Sequence, residues 1–594
     1  MRRTKRRFGR AGPLARNCCS RRPRTADAAS WQRLWEGNAE VSRRCGLVWA
    51  GRLFAGFGVE VFRINALRLA GVMCLLALVG CTSASPHAVA SPVSSANAVR
   101  SRSTVGDHPS AAASTAAAAA STGLSGTPFG VQAGWVVAEN ARQGSPDWQI
   151  PAGLTGAAIA GYADTTQALA GQQVRLYVST SATWFSVRAY RMGYYGGADA
   201  RLVWSSAPVR GVNQQPCPLT AGVNMVSCSW TPSLTVRISA QFPAGDYLFK
   251  LLAVGGQQSY VPLTIADPHS QATYLVQNSI MSWQAWNTYG GYDLYGGAPP
   301  PGKTLKYADR SRVLSFDRPY AYGAGAADFL GNELPLVEYL EQHGLDVSYV
   351  SDIGVNDDPS LILAHKVFLS LGHDECWAMA QRNGIFRAIT RGVNVVFFGA
   401  SPILRHVRMQ AGATGPDREM VDYRVPNQDP IYRSDPKDAT GNTWAEPPAD
   451  APPSEITGDT YSGYGIDAPM VISDASAWVF AGTGLRNGSS LPHVVRSDYD
   501  HYVRNHFTPR DVQVLTASPV VTSYGTHGVA NMTYYTNSTS KAGVLATGTN
   551  AWIASMAACP SGTTLCPAPI VQVITSNILR VFGTGPAGLI EPST

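Results

Sequence analysis

His373, Asp374 and Glu375 stand in a row behind the apolar run Val367 to Leu371 and a single glycine, Gly372. An imidazole beside two carboxylates can move protons, orient water or, with further oxygen donors, hold a cation. The run that delivers them reads as a buried parallel strand, and open α/β sheets do their chemistry at the carboxyl ends of such strands. Gly392 to Ser401 repeats the design, and Ala378 to Arg391 between the two has the length and composition of a crossover helix. The expected unit is strand, His-Asp-Glu turn, helix, strand. A blander reading stays open: Asp374 or Glu375 capping the amide end of the helix that follows.

Other groups extend the candidate set. Asp498 and Asp500, in Arg496-Ser497-Asp498-Tyr499-Asp500, can add carboxylates from a neighbouring strand end. The loop Met281 to Gly297 is dense in Trp, Tyr and Gly, and reads either as part of the site or as a packed cover over the sheet edge. Cys376 suggests a nucleophile, but the adjacent Glu375 raises a thiol pKa, so that role is set aside. His493, His501 and His506 lie eight and five residues apart, a spacing that matches no helical ligand pair, and read as solvated.

These residues need elements to position them. From about Gly130 to Asp267, short runs rich in Val, Tyr, Trp and Leu alternate with Gly, Pro and Ser clusters, which predicts a β-sandwich. Its expected strands are Trp135 to Glu139, Gln173 to Val178, Trp184 to Tyr190, Thr235 to Ile238 and Tyr247 to Ala253. Within it, the glycine-rich stretch Arg188 to Val203 reads as a strand and tight turn packed on a neighbouring domain. After Asp267-Pro268 strands and helices alternate: Thr273 to Gln277, a helix over Pro335 to His343, Asp346 to Val350, the unit above, and Asp511 to Leu515. That pattern predicts a doubly wound α/β domain over 268–594, an α+β multidomain chain overall. The Pro/Asp-rich segment 411–469 is expected to be a surface insertion.

Composition narrows the function. With 594 residues and 45% hydrophobic content the chain can hold more than one core. Residues 1–68 carry 16 Lys+Arg against 4 Asp+Glu, and the remainder 31 against 36, so the formal +7 belongs to the leader and gives no argument for nucleic acid. Arg63 and Arg68 precede the apolar run Leu69 to Val79 and then Gly80-Cys81, the pattern of a secretory signal. Leu78-Val79-Gly80-Cys81 resembles a bacterial lipobox, which makes Cys81 the lipidated residue and the protein an exported, membrane-anchored one; a plain signal peptide cut nearby is the alternative. The run is too short to span a membrane. Residues 1–60 read as upstream sequence, with a start near Val59 or Val61, or as a cytoplasmic tail, 61–81 as the signal, and the Ala/Ser-rich 82–129 as a disordered tether. Export agrees with the close pairs Cys217/Cys228 and Cys559/Cys566, expected as disulfides with Cys376 left free. A zinc site lacks a second pair or histidines at ligand spacing.

Three motifs together carry a family resemblance: Tyr190-Arg191-Met192-Gly193-Tyr194-Tyr195-Gly196-Gly197, Trp283-Gln284-Ala285-Trp286-Asn287-Thr288-Tyr289-Gly290-Gly291 with Leu294-Tyr295, and Gly372-His373-Asp374-Glu375. Over roughly Gly130 to Gly588 the chain resembles the large (beta) subunit of N,N-dimethylformamidase and its relatives. The resemblance implies a β-sandwich followed by an α/β domain similar to class I glutamine amidotransferases. It implies a mononuclear iron held by two tyrosines and a glutamate, here Tyr295, Tyr289 and Glu375, with His373 beside them. This chain departs from the pattern with Trp286 where the second tyrosine is expected and Ser401 where an asparagine is expected. The resemblance implies hydrolysis of a carbon–nitrogen bond in a small or cell-envelope amide, with metal assistance and a small partner subunit or a homo-oligomer. The rival expectation is a non-catalytic envelope or carbohydrate-binding protein with a decayed site.

Overall fold

A computed structural model describes residues 129–594 apart from 157, 560–562 and 564. The leader, the Cys81 anchor and the tether up to 128 lie outside the described residues. Those described belong to one compact unit with a mixed α/β architecture of several sheets.

The first layer is built from two sheets around one core. Ile159–Ala163, Gln173–Thr180 and Leu234–Arg237 form one; Gln167–Leu169, Gln258–Ala266, Gly245–Ala253, Trp184–Met192 and Ala200–Ser205, with Val209–Arg210, form the other. Val174, Leu176 and Val178 recur at the two-residue period that sends alternate side chains to one face. They meet Val187, Phe249, Val261 and Leu263 in that core. Each such burial contributes about 1.5–3 kcal/mol. One expectation here is overturned: Trp135 to Glu139 lies in a helix, Gly134–Asn140. Val136 and Glu139, three apart, share its buried face. Val136 packs in a second core with Leu336 and Leu340, and Glu139 accepts from Arg201 Nε at 2.7 Å, so a 3.6-residue period wins over the β-rich composition.

The second layer centres on a seven-stranded sheet in the order Val347–Ser351, Tyr274–Asn278, Val367–Leu371, Asn394–Phe398, Gly543–Ala546, Thr533–Thr536, Gln513–Val514. The first five are parallel and the last two antiparallel. Successive residues of its strands enter different cores. Leu369 and Val396 pack with Leu336, Leu340 and Ile578, whereas Phe368 and Val395 pack with Ile385, Ala388 and Ile389. Burial on both faces is why these runs are apolar without alternation. The helices are those expected, Leu334–Gln342 ending before Gly344 at φ +63°, and Met379–Thr390.

Two details depart from expectation. A short strand, Cys376–Ala378, intervenes between the His-Asp-Glu turn and its helix, and pairs in parallel with Arg405–Gln410 in a separate four-stranded sheet. The helix starts at Met379 without a side-chain cap, so the capping reading falls. The segment 411–469 is no surface insertion either. It holds the strand Glu419–Val421, the fully buried Asp422, Thr440 and Trp444, and the start of a long ribbon, Thr460–Val471 against Ser490–His501. Two of its Asp residues are drawn inside by partners: Arg408 pairs with Asp429 at 2.7 Å and Arg424 with Asp422 at 2.9 Å.

Arg188 to Val203 packs on the second layer as expected. Arg191 and Glu341 are both 0% exposed and pair at 2.6 Å. A second guanidinium bond of 3.0 Å makes the pair bidentate.

Candidate functional site

The carboxyl end of Val367–Leu371 opens into the turn through Gly372 at φ +60°, a left-handed conformation that costs glycine little. A Cβ there would lie 2.8 Å from the Asn332 carbonyl oxygen. Ser282 Oγ, on the helix Ile280–Ala285, then accepts from the amides of Glu375 and Cys376 at 2.9 and 3.0 Å, which sets the turn's direction. Asp374 is turned into the core, where Oδ2 accepts from Gln277 and Ser370, and burial pushes its carboxyl up to about 7. Glu375 and His373 are left facing the aromatic loop.

Glu375 receives that loop directly. Tyr295 donates its hydroxyl to Oε1, and Trp286 Nε1–H donates to the same oxygen at 3.0 Å. The two rings stack at 3.8 Å between centroids, and the Arg405 and Arg424 guanidiniums lie 5.6 and 4.9 Å from the Tyr295 ring. Glu375 Oε2 faces His373 Nε2 at 3.5 Å, and the same nitrogen lies 3.5 Å from Asp498 Oδ2. Burial would raise the Glu375 carboxyl, but the His373 charge, with Arg405 and the Tyr295 hydroxyl, brings it down to about 2. Burial would depress His373; Glu375 and Asp498 outweigh it and hold the imidazole well above its usual range. The result is an imidazolium between two carboxylates, its Nε2 enclosed without a hydrogen bond of normal geometry. Burial, then Glu375, push the Tyr295 phenol up, so it remains a donor.

Asp498 arrives on the ribbon. Gly463 pairs with Tyr499 and Ile466 with Ser497, so Tyr464 and Gly465 together oppose Asp498 alone, a bulge with Gly465 at φ +71°. Bulges of this kind re-aim side chains next to sites. Ser401, itself left-handed at φ +56°, sits with Oγ 3.0 Å from Asp498 Oδ2 and gives its amide to Asp500 Oδ1 at 2.8 Å. Asp500 is fully buried behind Asp498, and burial, then Asp459, push its carboxyl well up.

His373, Glu375, Asp498, Tyr295 and Trp286 thus line one cavity of about 920 Å³. Asp500 stands behind it, and Tyr289 is not brought in: it packs against the first layer's Tyr162, Tyr177 and Trp230. Tyr289 opens the turn Tyr289–Gly291, whose two glycines are both at positive φ. His493 is exposed and His501 and His506 do not line the cavity. Cys376 is buried and free, its thiol raised by burial and then Glu375, which leaves it inert. The pairs Cys217–Cys228 and Cys559–Cys566 are disulfides. Sequence reasoning missed Arg405, Asn442, Glu446, Tyr461 and Tyr464, which also line the cavity and come mostly from 411–469. No motif flagged them; their isolated polar and aromatic types carry no spacing signal.

The iron set that the resemblance implies does not fit these residues. One phenol and the carboxylate come together, but the second phenol's place holds an indole N–H, which has no lone pair to give a metal and occupies the carboxylate oxygen itself. Among the described residues no group of three or more His, Cys, Asp or Glu is arranged to hold a metal ion.

Comparison with known proteins bears on the family and little else. A search of curated proteins finds no match. Among solved structures, a Paenibacillus sp. cycloisomaltooligosaccharide glucanotransferase complexed with cycloisomaltoheptaose matches at 8% identity and a TM-score of 0.12, over 45% of this chain and 34% of that one. The chain spans about a third of that protein's length, and a likeness so weak carries no argument. The model for N,N-dimethylformamidase beta subunit-like, C-terminal, matches residues 186–564, well over half of the chain and all of the cavity residues named above. The chain therefore belongs to the N,N-dimethylformamidase beta subunit-like family.

Proposed function

We propose that this protein is an exported hydrolase that cleaves a carbon–nitrogen amide bond at the His373–Asp498 edge of the cavity, without the two-tyrosine iron site. The observation that carries the reading is the His373 imidazole held between Glu375 and Asp498, 3.5 Å from each, at the cavity wall. A charged imidazole presented at the cavity wall polarises an amide carbonyl bound against it. Asp498, oriented by Ser401, accepts a proton from a water, whose oxygen bonds to the acyl carbon. As the C–N bond breaks, His373 gives its proton to the leaving amine and is reprotonated through Asp498. Glu375, pinned by Tyr295 and Trp286, acts by keeping His373 charged and in place. The two disulfides agree with an oxidising compartment, and Cys81 would supply the lipid anchor.

The rival, non-catalytic glycan binding, is favoured by the stacked Trp286/Tyr295 pair at the carboxylate. Release of free amine from N-acyl substrates decides between them. Turnover that His373→Gln abolishes supports the hydrolase, and turnover that survives a chelator supports the metal-free course. Activity lost on chelation and restored by iron overturns the latter.

A further inference from the structure

The cavity is larger than a small amide needs, and its wall away from His373 has a distinct chemistry. Trp286 and Tyr464 are large rings left 41% and 50% exposed, one on the aromatic loop and one on the ribbon bulge. Each is backed by a second ring, Trp286 by Tyr295 at 3.8 Å and Tyr464 by Tyr524 at 5.6 Å, Tyr524 itself being 38% exposed. Backed rings that stay open to solvent lose little freedom on binding and offer flat apolar faces. The same cavity presents two carboxylate–carboxamide pairs of the same build. Asn332 donates to Asp328 at 2.8 Å and Asn442 to Glu446 at 3.1 Å, each four residues apart. Arg405 holds Asn442 from the other side at 2.8 Å.

Such planar pairs, with oxygens left to accept and amides left to donate, match vicinal hydroxyls, and flat rings match the C–H face of a pyranose. The lining offers an anionic ligand no surplus of positive charge. Four carboxylates line the cavity, Asp328, Glu375, Glu446 and Asp498, against the guanidiniums of Arg310 and Arg405 and the His373 imidazolium.

We propose that the cavity binds a neutral glycan bearing an N-acylated amino sugar, stacked on Trp286 and Tyr464, with its acyl amide at His373. This rests on the amide-hydrolase reading above and names its substrate class. Water adds its oxygen to the acyl carbon, the C–N bond breaks, and the products are a carboxylic acid and a glycan with a free amine; no co-reactant besides water is needed.

Calorimetric titration of the full chain with tetra-N-acetylchitotetraose and with cellotetraose tests it. The acetylated glycan should bind, and cellotetraose on the order of tenfold more weakly or not at all. Tyr464→Ala, which removes a stacking ring but no ionisable proton donor or acceptor of the site, should weaken binding of the acetylated glycan on the order of tenfold with thermal unfolding little changed. Absence of binding by the acetylated glycan, equal binding of cellotetraose, or a Tyr464→Ala variant that binds as tightly as the parent each overturns the proposal. The two readings fail separately: N-acyl-selective binding with no amine released sinks the hydrolase and keeps the glycan site, whereas acetamide turnover with no glycan binding does the reverse.

Discussion

Two regions of this protein bury charge, and they do it differently. At the contact between the layers, Arg191 gives Glu341 two hydrogen bonds and Tyr349 gives it a third, all out of reach of solvent. At the sheet edge, His373 also meets carboxylates, but at 3.5 Å on each side, with its Nε2 lacking a normal hydrogen bond and a large cavity alongside. Burial and a perturbed proton affinity are common to both. Closure of the hydrogen bonding separates them, for a satisfied pair has nothing left to offer a substrate.

Variants can break that contrast. The largest effect is expected at the open site: His373→Gln should lower amide turnover by about 10²–10⁴-fold, the usual worth of a positioned acid or base, far more than the stability it loses with the Glu375 and Asp498 contacts would explain. Equal losses of stability and activity would place His373 with the structural pair. Next, Arg191→Met should cost about 3–5 kcal/mol in urea unfolding, since it leaves the buried Glu341 charge without its cation, held only by Tyr349 and Asn140. Little destabilisation there would show that the interface does not need the pair.

The third prediction sharpens the comparison through pH. A histidine whose folded pKa is raised contributes stability that is complete below its unfolded value of about 6.5 and lost as pH rises through the folded one. The Glu375 contribution has the opposite sign, present above about 4.5 and lost as pH falls toward about 2. Turnover should therefore hold through neutral pH and fall on the alkaline side. Asp498→Asn removes one of the two carboxylates beside His373 and the base for water with it, so the readout is the imidazole itself: its titration, followed by NMR, should move to lower pH, and an unmoved titration denies Asp498 its part in holding the proton. The smallest effect belongs to the interface. Burial pushes Asp246 there up to about 7, so its neutral form favours folding at low pH and that gain fades as pH rises from about 4 through 7. Asp246→Asn should flatten this part of the stability profile without touching turnover.

Much of the scaffold was legible because its residues obey local rules. The runs Val367–Leu371 and Asn394–Phe398 are apolar at every position since both faces are covered, and that pattern survives in one dimension. The helix Gly134–Asn140 was misread because two buried positions on one face are too weak a period to outweigh Trp and Val. The disulfide partners followed from proximity along the chain, and the motifs at Tyr295 and Glu375 from resemblance. The sequence by itself determined the strand that ends in His-Asp-Glu, the alternation of elements around it and the chemistry those side chains can do. Only the tertiary structure decided that Asp374 turns inward, that Tyr289 goes to the other layer, and that an indole N–H takes a phenol's place on Glu375. The same holds for the segment 411–469, whose residues wall the cavity. The reason is physical: which of several polar side chains a turn exposes depends on partners such as Ser282 and Gln277, 93 and 97 residues away in sequence, and contacts at that range leave no periodicity to read.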